Sequence, residues 1–203
     1  MSEQGETPHK ILILACGALA KEIVHLLGQM NEQVELKCLP AIYHNHPEKI
    51  VPALKTILDE AAQNYERILI GYGDCGTGGG LDRLLENYEH ATRLPGAHCY
   101  AFYAGLGRFD AMMEDELGTF FLTDYLVRHF DTLIIKGMGL DRYPDLQQTY
   151  FKHYKKLTYL AQTDDDDLKS EARTAAKKLG LSYEFRHVGY GGLEDALSAL
   201  ETV

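Results

Sequence analysis

The chain has no tryptophan, no surplus of positive charge, no apolar run long enough to cross a bilayer and no two cysteines at Cys-x-x-Cys spacing. Each absence excludes something. A formal charge of -10 leaves no basic footprint of the kind a phosphate backbone requires, so nucleic acid is excluded as a partner. Without a stretch approaching about 20 apolar residues, no membrane span is expected. The polar start, residues 1–10, lacks the apolar centre of a signal peptide and reads as a flexible N-terminus, so a cytoplasmic protein is expected. Disulfides are rare in such a compartment, and Cys16, Cys38, Cys75 and Cys99 are therefore read as thiols. The missing close pair argues against a local structural zinc site. No Gly-Lys-Ser or Gly-Lys-Thr closes a glycine-rich segment, so a Walker phosphate loop is excluded as well.

What is present is an alternation of strands and helices. With 203 residues the chain is long enough for one sizeable core, and residues 11–203 are read as a single domain. Short apolar or alternating runs predict strands at 11–15, 33–39, 68–70, 132–136, 156–162 and 182–188. Helical periodicity follows most of them. The first helix carries a stripe of Ala20, Ile23, Val24, Leu27 and Met30, and the next carries Ile50, Leu54, Ile57, Leu58 and Ala61 behind Pro47. Residues 97–105 read as either a short strand or a helix entry, and the aromatic-rich 118–130 as helix. An acidic linker and helix start over residues 163–167 and a C-terminal Gly180 bound the helix through Ala172 and Leu179. The fold class expected is α/β, a mostly parallel sheet with helices on both faces in a Rossmann-like layer sandwich.

The densest signal lies between Gly71 and Gly80, where six of ten residues are glycine and Asp74 and Cys75 stand among them. Glycine permits positive φ and close approach of another group. In a parallel sheet the C-terminal strand ends share one edge, so Cys16, at the end of the first strand, and Cys75 converge there. Cys99 follows the Pro95-Gly96 turn beside His98. Thiolate and imidazole are ligands for zinc, and thiolate for iron–sulfur clusters. Cys16, Cys75 and Cys99 are thus candidate metal ligands for zinc or a [4Fe-4S] cluster with one open position, and Asp74 and His98 are candidate catalytic groups. Each has a plainer alternative: a buried thiol as apolar filler, which is the reading of Cys38, or an aspartate holding its own loop. His44 and His46 cap a helix or join the site, and Asp124, His129 and Asp141 stand as further polar candidates.

With Tyr72-Gly73-Asp74-Cys75-Gly76-Thr77-Gly78-Gly79, His98-Cys99-Tyr100 and Gly118-Thr119-Phe120-Phe121-Leu122-Thr123-Asp124, the chain resembles a prokaryotic family catalogued only as a domain of unknown function, common in anaerobic bacteria and archaea. Members of that family are often encoded near corrinoid-dependent methyltransferases. The resemblance implies a role in one-carbon or methyl-group metabolism and brings no catalytic residue with it. Two functions follow as expectations: a metal-dependent enzyme acting on a small molecule, or a metal-free accessory protein binding a corrinoid protein or methyltransferase.

Overall fold

The structure, a computed structural model, describes residues 10–29 and 34–200. The polar start through His9, and Met30 and Gln33 of the predicted first helix and second strand, lie outside the described residues. The chain is α/β, with parallel strands flanked by helices in Rossmann-like layers. Among the described residues, seven strands divide into two sheets, one ordered β2-β1-β3-β4 and the other β5-β6-β7.

The first sheet is built around β1 (Ile11–Cys16), whose six residues are all buried. A strand with both faces apolar needs cover on both sides, and burying each aliphatic side chain stabilises by roughly 1.5–3 kcal/mol. Its neighbours are β2 (Val34–Leu39) on one side and β3 (Arg67–Gly71) on the other, with the short β4 (Ala91–Arg93) beyond. The helices of this half are α1 (Ala20–Leu27), α2 (Ile50–Ala61), α3 (Gly80–Leu85), α4 (Cys99–Ala104) and α5 (Leu106–Asp115). Residues 99–104 thus take the helical alternative. Strand β4 has too short a run to be recognised in the sequence. Val24, placed in the apolar stripe, is 60% exposed, while Glu22 is buried on that helix in its stead.

The second sheet comprises β5 (Thr119–Leu122), β6 (Lys156–Ala161) and β7 (Ser182–His187). Here two predictions fail. The segment 118–130 is not continuous helix: Thr119–Leu122 pairs with β6, and the Thr123 hydroxyl caps a separate α6 (Asp124–Arg128) by accepting from the Leu126 N–H. Aromatic and β-branched residues suit a pleated surface, and the sheet decides between the two periods. The segment 131–136 is not a strand but a π-helix, in which the Gly137 N–H reaches back to the Thr132 carbonyl at 3.0 Å. The Leu133 carbonyl, which an α-helix would offer to Gly137, instead accepts from the Asn45 side-chain amide at 2.7 Å. An inserted side chain of this kind widens a helical turn. Helices α7 (Asp145–Phe151) and α8 (Asp166–Leu179) follow, the latter closed by Gly180, as expected, and capped at its start by the Asp165 side chain, which accepts from the Asp167 and Leu168 N–H groups.

The last helix, α9 (Gly191–Ser198), leaves the second sheet and packs on α4 and α1, sending Leu193 and Leu197 into the first core. A small cluster of Ala101, Ala104, Phe109, Phe121 and Leu160 joins the halves.

Candidate functional site

In the order β2-β1-β3-β4 the winding reverses between β1 and β3, and it is outside such a reversal that open α/β sheets form their crevice. The two strands lie close there, since a Cβ on Gly71 would stand 2.7 Å from that of Ala15. Immediately beyond are Cys16, at the end of β1, and the loop Tyr72–Gly79 after β3. The loop after β4 runs alongside the second of these: the Asp74 N–H donates to the Gly96 carbonyl at 2.9 Å and the Cys75 N–H to that of Ala97 at 2.8 Å. Gly73 allows this, because a Cβ would fall 2.8 Å from the Gly96 oxygen. The close approach expected at these glycines is therefore made, at Gly73, by the chain's own backbone.

The two loops bring Cys75 and Cys99 together, with their sulfurs in a hydrogen-bonded contact of 2.8 Å. Cys75 is the one non-glycine residue among those described with positive φ, at 48°. Backbone of this kind costs of order 1 kcal/mol or more and clusters at functional sites. The contact lowers the Cys75 pKa, since the Cys99 S–H stabilises its thiolate; burial opposes this and the Cys99 and Gly73 amides add to it. The Cys99 thiol moves well upward for the same two reasons, the Cys75 contact and burial. Cys16 is buried and its thiol is pushed up to about 11, mainly by burial. It lies within electrostatic reach of both, so the three thiols share this edge.

Tyr72 stands among them. It is 2% exposed, and its hydroxyl has no hydrogen-bond partner of normal geometry, although it lies against the Cys16 thiol. A buried, unpaired hydroxyl costs about 1–3 kcal/mol. The sequence reading passed over Tyr72; a bulky phenol between two glycines at a strand end is the signal that would have found it.

A cavity of about 250 Å³ opens on this group, lined by His44, Pro47, Cys75, Gly76, His98, Cys99 and Tyr100. His98 stacks on Tyr100 with ring centres 5.0 Å apart. Partial burial of its ring lowers the His98 pKa against the opposing pull of Asp74, which keeps the imidazole neutral. His44 shifts the same way, from crowding by the cavity wall and then from His98, although the residue as a whole is exposed. Asp74 itself faces its own loop. Its carboxylate accepts from the Thr77 hydroxyl at 2.9 Å and from the Gly79 and Gly78 amides at 2.7 and 3.1 Å. These bonds, led by that from Gly79, hold its pKa below the usual range. They also occupy amides that would otherwise cradle a phosphate.

The other candidates fall elsewhere. His46 pairs with Glu48 at 3.4 Å, and Asp141 is exposed and does not line the cavity. Cys38, read as a buried filler, is exposed. Asp124 is buried just beyond β5, where Tyr159, Gln162 and Thr163 bond its carboxylate; the His129 ring lies tilted against Tyr125, their centres 4.4 Å apart. Buried Glu22 lies within electrostatic reach of Asp124, with its Oε2 unpartnered. Burial, reinforced by Asp124, raises its pKa.

Fold and site together describe an α/β protein with a thiol cluster at the switch point of a parallel sheet. The chain belongs to the family described as protein of unknown function DUF1638, whose match spans residues 38–197. No curated protein and no solved structure matches the chain. No helix among the described residues is long and apolar enough to cross a membrane.

Proposed function

We propose that the protein is a metal-dependent enzyme acting on a small molecule, with zinc or a [4Fe-4S] cluster held by Cys16, Cys75 and Cys99. The observation that carries this reading is the gathering of three thiols around a buried hydroxyl without a hydrogen-bond partner, that of Tyr72, beside a cavity that Cys75 and Cys99 line. Soft sulfur donors suit both groups, and three protein ligands leave one position for substrate. Such a metal supplies Lewis acidity and polarises a bound oxygen or sulfur. His98, neutral and stacked at the cavity wall, is the acid–base group, and Asp74 holds the loop that carries Cys75.

The thiols are not yet spaced as ligands. Among the described residues no three His, Cys, Asp or Glu side chains form a group able to hold a metal ion. Two sulfurs on one tetrahedral ion, each about 2.3 Å from it, stand roughly 3.7 Å apart. Cys75 and Cys99, now 2.8 Å apart, would have to swing apart to bind. Metal analysis and an absorption spectrum of protein purified without oxygen test the proposal. Stoichiometric zinc or iron is expected, lost in Cys75→Ala and Cys16→Ala; protein with neither metal refutes it. A cytoplasmic role in methyl-group metabolism, beside corrinoid-dependent methyltransferases, belongs to the same proposal. The alternative, a metal-free accessory protein for a corrinoid protein or methyltransferase, draws on the exposure of His44 and His98 at the cavity. It predicts co-purification with such a partner and thiols that titrate fully without chelator.

A further inference from the structure

The Cys75–Cys99 contact carries more than a ligand role. A separation of 2.8 Å is shorter than a shared tetrahedral ion would impose and lies between that spacing and a covalent S–S bond of about 2.05 Å. Backbone bonds from both Asp74 and Cys75 clamp the two loops together, so the contact is held by the fold and not by the side chains alone. The two thiols are also unlike. Cys75 sits on a left-handed turn of the glycine loop, at φ 48°, whereas Cys99 is the first residue of α4. Both line the cavity, and the loop thiol is assigned the attack and the helix thiol the resolution.

We propose that Cys75 and Cys99 form a dithiol–disulfide couple that reduces small disulfides entering the cavity. The cavity, about 250 Å³, lies below the usual range for ligand pockets and admits one arm of a low-molecular-weight disulfide. Cys75 attacks one sulfur of the substrate R–S–S–R; the substrate S–S bond breaks, a Cys75–S–S–R bond forms, and the first RSH leaves. Cys99 then attacks the Cys75 sulfur, closing the Cys75–Cys99 disulfide and releasing the second RSH. The two thiols give up two electrons and two protons, and the substrate takes up both. A dithiol reductant returns the couple to its starting state and is itself oxidised to a disulfide. Cys16 takes no part, being buried and outside the cavity lining. The inference uses two thiols of the proposed metal centre but does not depend on the metal.

Chelator-treated protein carrying Cys38→Ser, to remove the exposed thiol, is exposed to hydroxyethyl disulfide and mapped by mass spectrometry. A Cys75–Cys99 linkage that dithiothreitol reverses is expected. In Cys99→Ser, a stable hydroxyethylthio adduct should collect on Cys75, while in Cys75→Ser the adduct on Cys99 should form at least about tenfold more slowly. No linkage in the otherwise unmutated protein, or trapping on Cys16 instead of Cys75, overturns the proposal without relying on any variant's folding. Cys16→Ser separates the two readings. It should abolish metal content and leave the linkage intact, so a protein that binds metal but never forms the linkage refutes the couple alone, and one that forms the linkage but never holds metal refutes the metal centre alone.

Discussion

The C-terminal edges of the two parallel sheets hold buried polar groups in opposite ways. At the edge of the second sheet, Asp124 accepts four hydrogen bonds, from the Tyr159 hydroxyl at 2.7 Å, the Gln162 amide at 2.9 Å, the Thr163 amide at 3.1 Å and the Thr163 hydroxyl at 2.5 Å. Its own N–H donates to the Gln162 side chain at 2.9 Å. Both oxygens of that carboxylate are bonded. At the edge of the first sheet a hydroxyl lacks a partner, a cysteine occupies left-handed backbone and two sulfurs press together. A fully bonded buried network rigidifies a core, whereas unpaired groups and strain persist where something else is to be bound or transformed. On the proposed function, the second edge is structural and the first is the one that carries chemistry.

Four substitutions sharpen or break this contrast. The largest expected effect is on the second edge. Asp124→Ala orphans the Tyr159 hydroxyl and the Gln162 and Thr163 amides together, and should cost about 3–5 kcal/mol. A thermal midpoint about 10 °C lower is expected, with the thiol chemistry of surviving folded protein intact; a midpoint that barely moves would deny the network its structural role. Tyr72→Phe on the first edge should act in reverse. It removes an unpaired buried hydroxyl, so the protein free of metal and substrate should be as stable or up to about 1 kcal/mol more stable, while metal affinity falls about tenfold. Marked destabilisation in a chemical melt would place that hydroxyl with Asp124 as a structural group.

Cys75→Gly comes next. Glycine tolerates φ near 48°, so urea titration should report a gain of about 1 kcal/mol, with disulfide exchange lost. The smallest effect is expected at Glu22, between the two halves. Its folded pKa is raised above the ordinary carboxyl value, so native protein holds this proton at a pH where unfolded chain has lost it. Its stabilising share is full below the unfolded pKa and disappears as pH rises through the folded one. Glu22→Gln should therefore gain stability at neutral pH and nothing in acid, a small difference that melts across pH will read. An equal gain at every pH would show that the side chain does not titrate in that window.

Much of the fold was legible from local pattern. Six apolar residues in a row made β1, the period of Ile50, Leu54 and Leu58 made α2, and an acidic start and Gly180 bounded α8, because strand and helix periods and caps are properties of neighbouring residues. The convergence of Cys16, Cys75 and Cys99 was legible too, since in a parallel sheet strand ends must share an edge. What local pattern could not supply depends on partners distant in the chain. Thr119–Leu122 is a strand because β6 pairs with it, and residues 131–136 form a π-helix where Asn45 takes the Leu133 carbonyl. The 2.8 Å contact between Cys75 and Cys99 exists because backbone bonds clamp two loops that no sequence spacing connects. Local pattern was enough for the α/β class and for the edge where the strand-end cysteines meet. The division of the strands into two sheets, and the burial of Tyr72 and Glu22 with unpaired oxygens, came from packing. Desolvation and hydrogen-bond satisfaction are settled by everything packed around a group, and not by its neighbours along the chain.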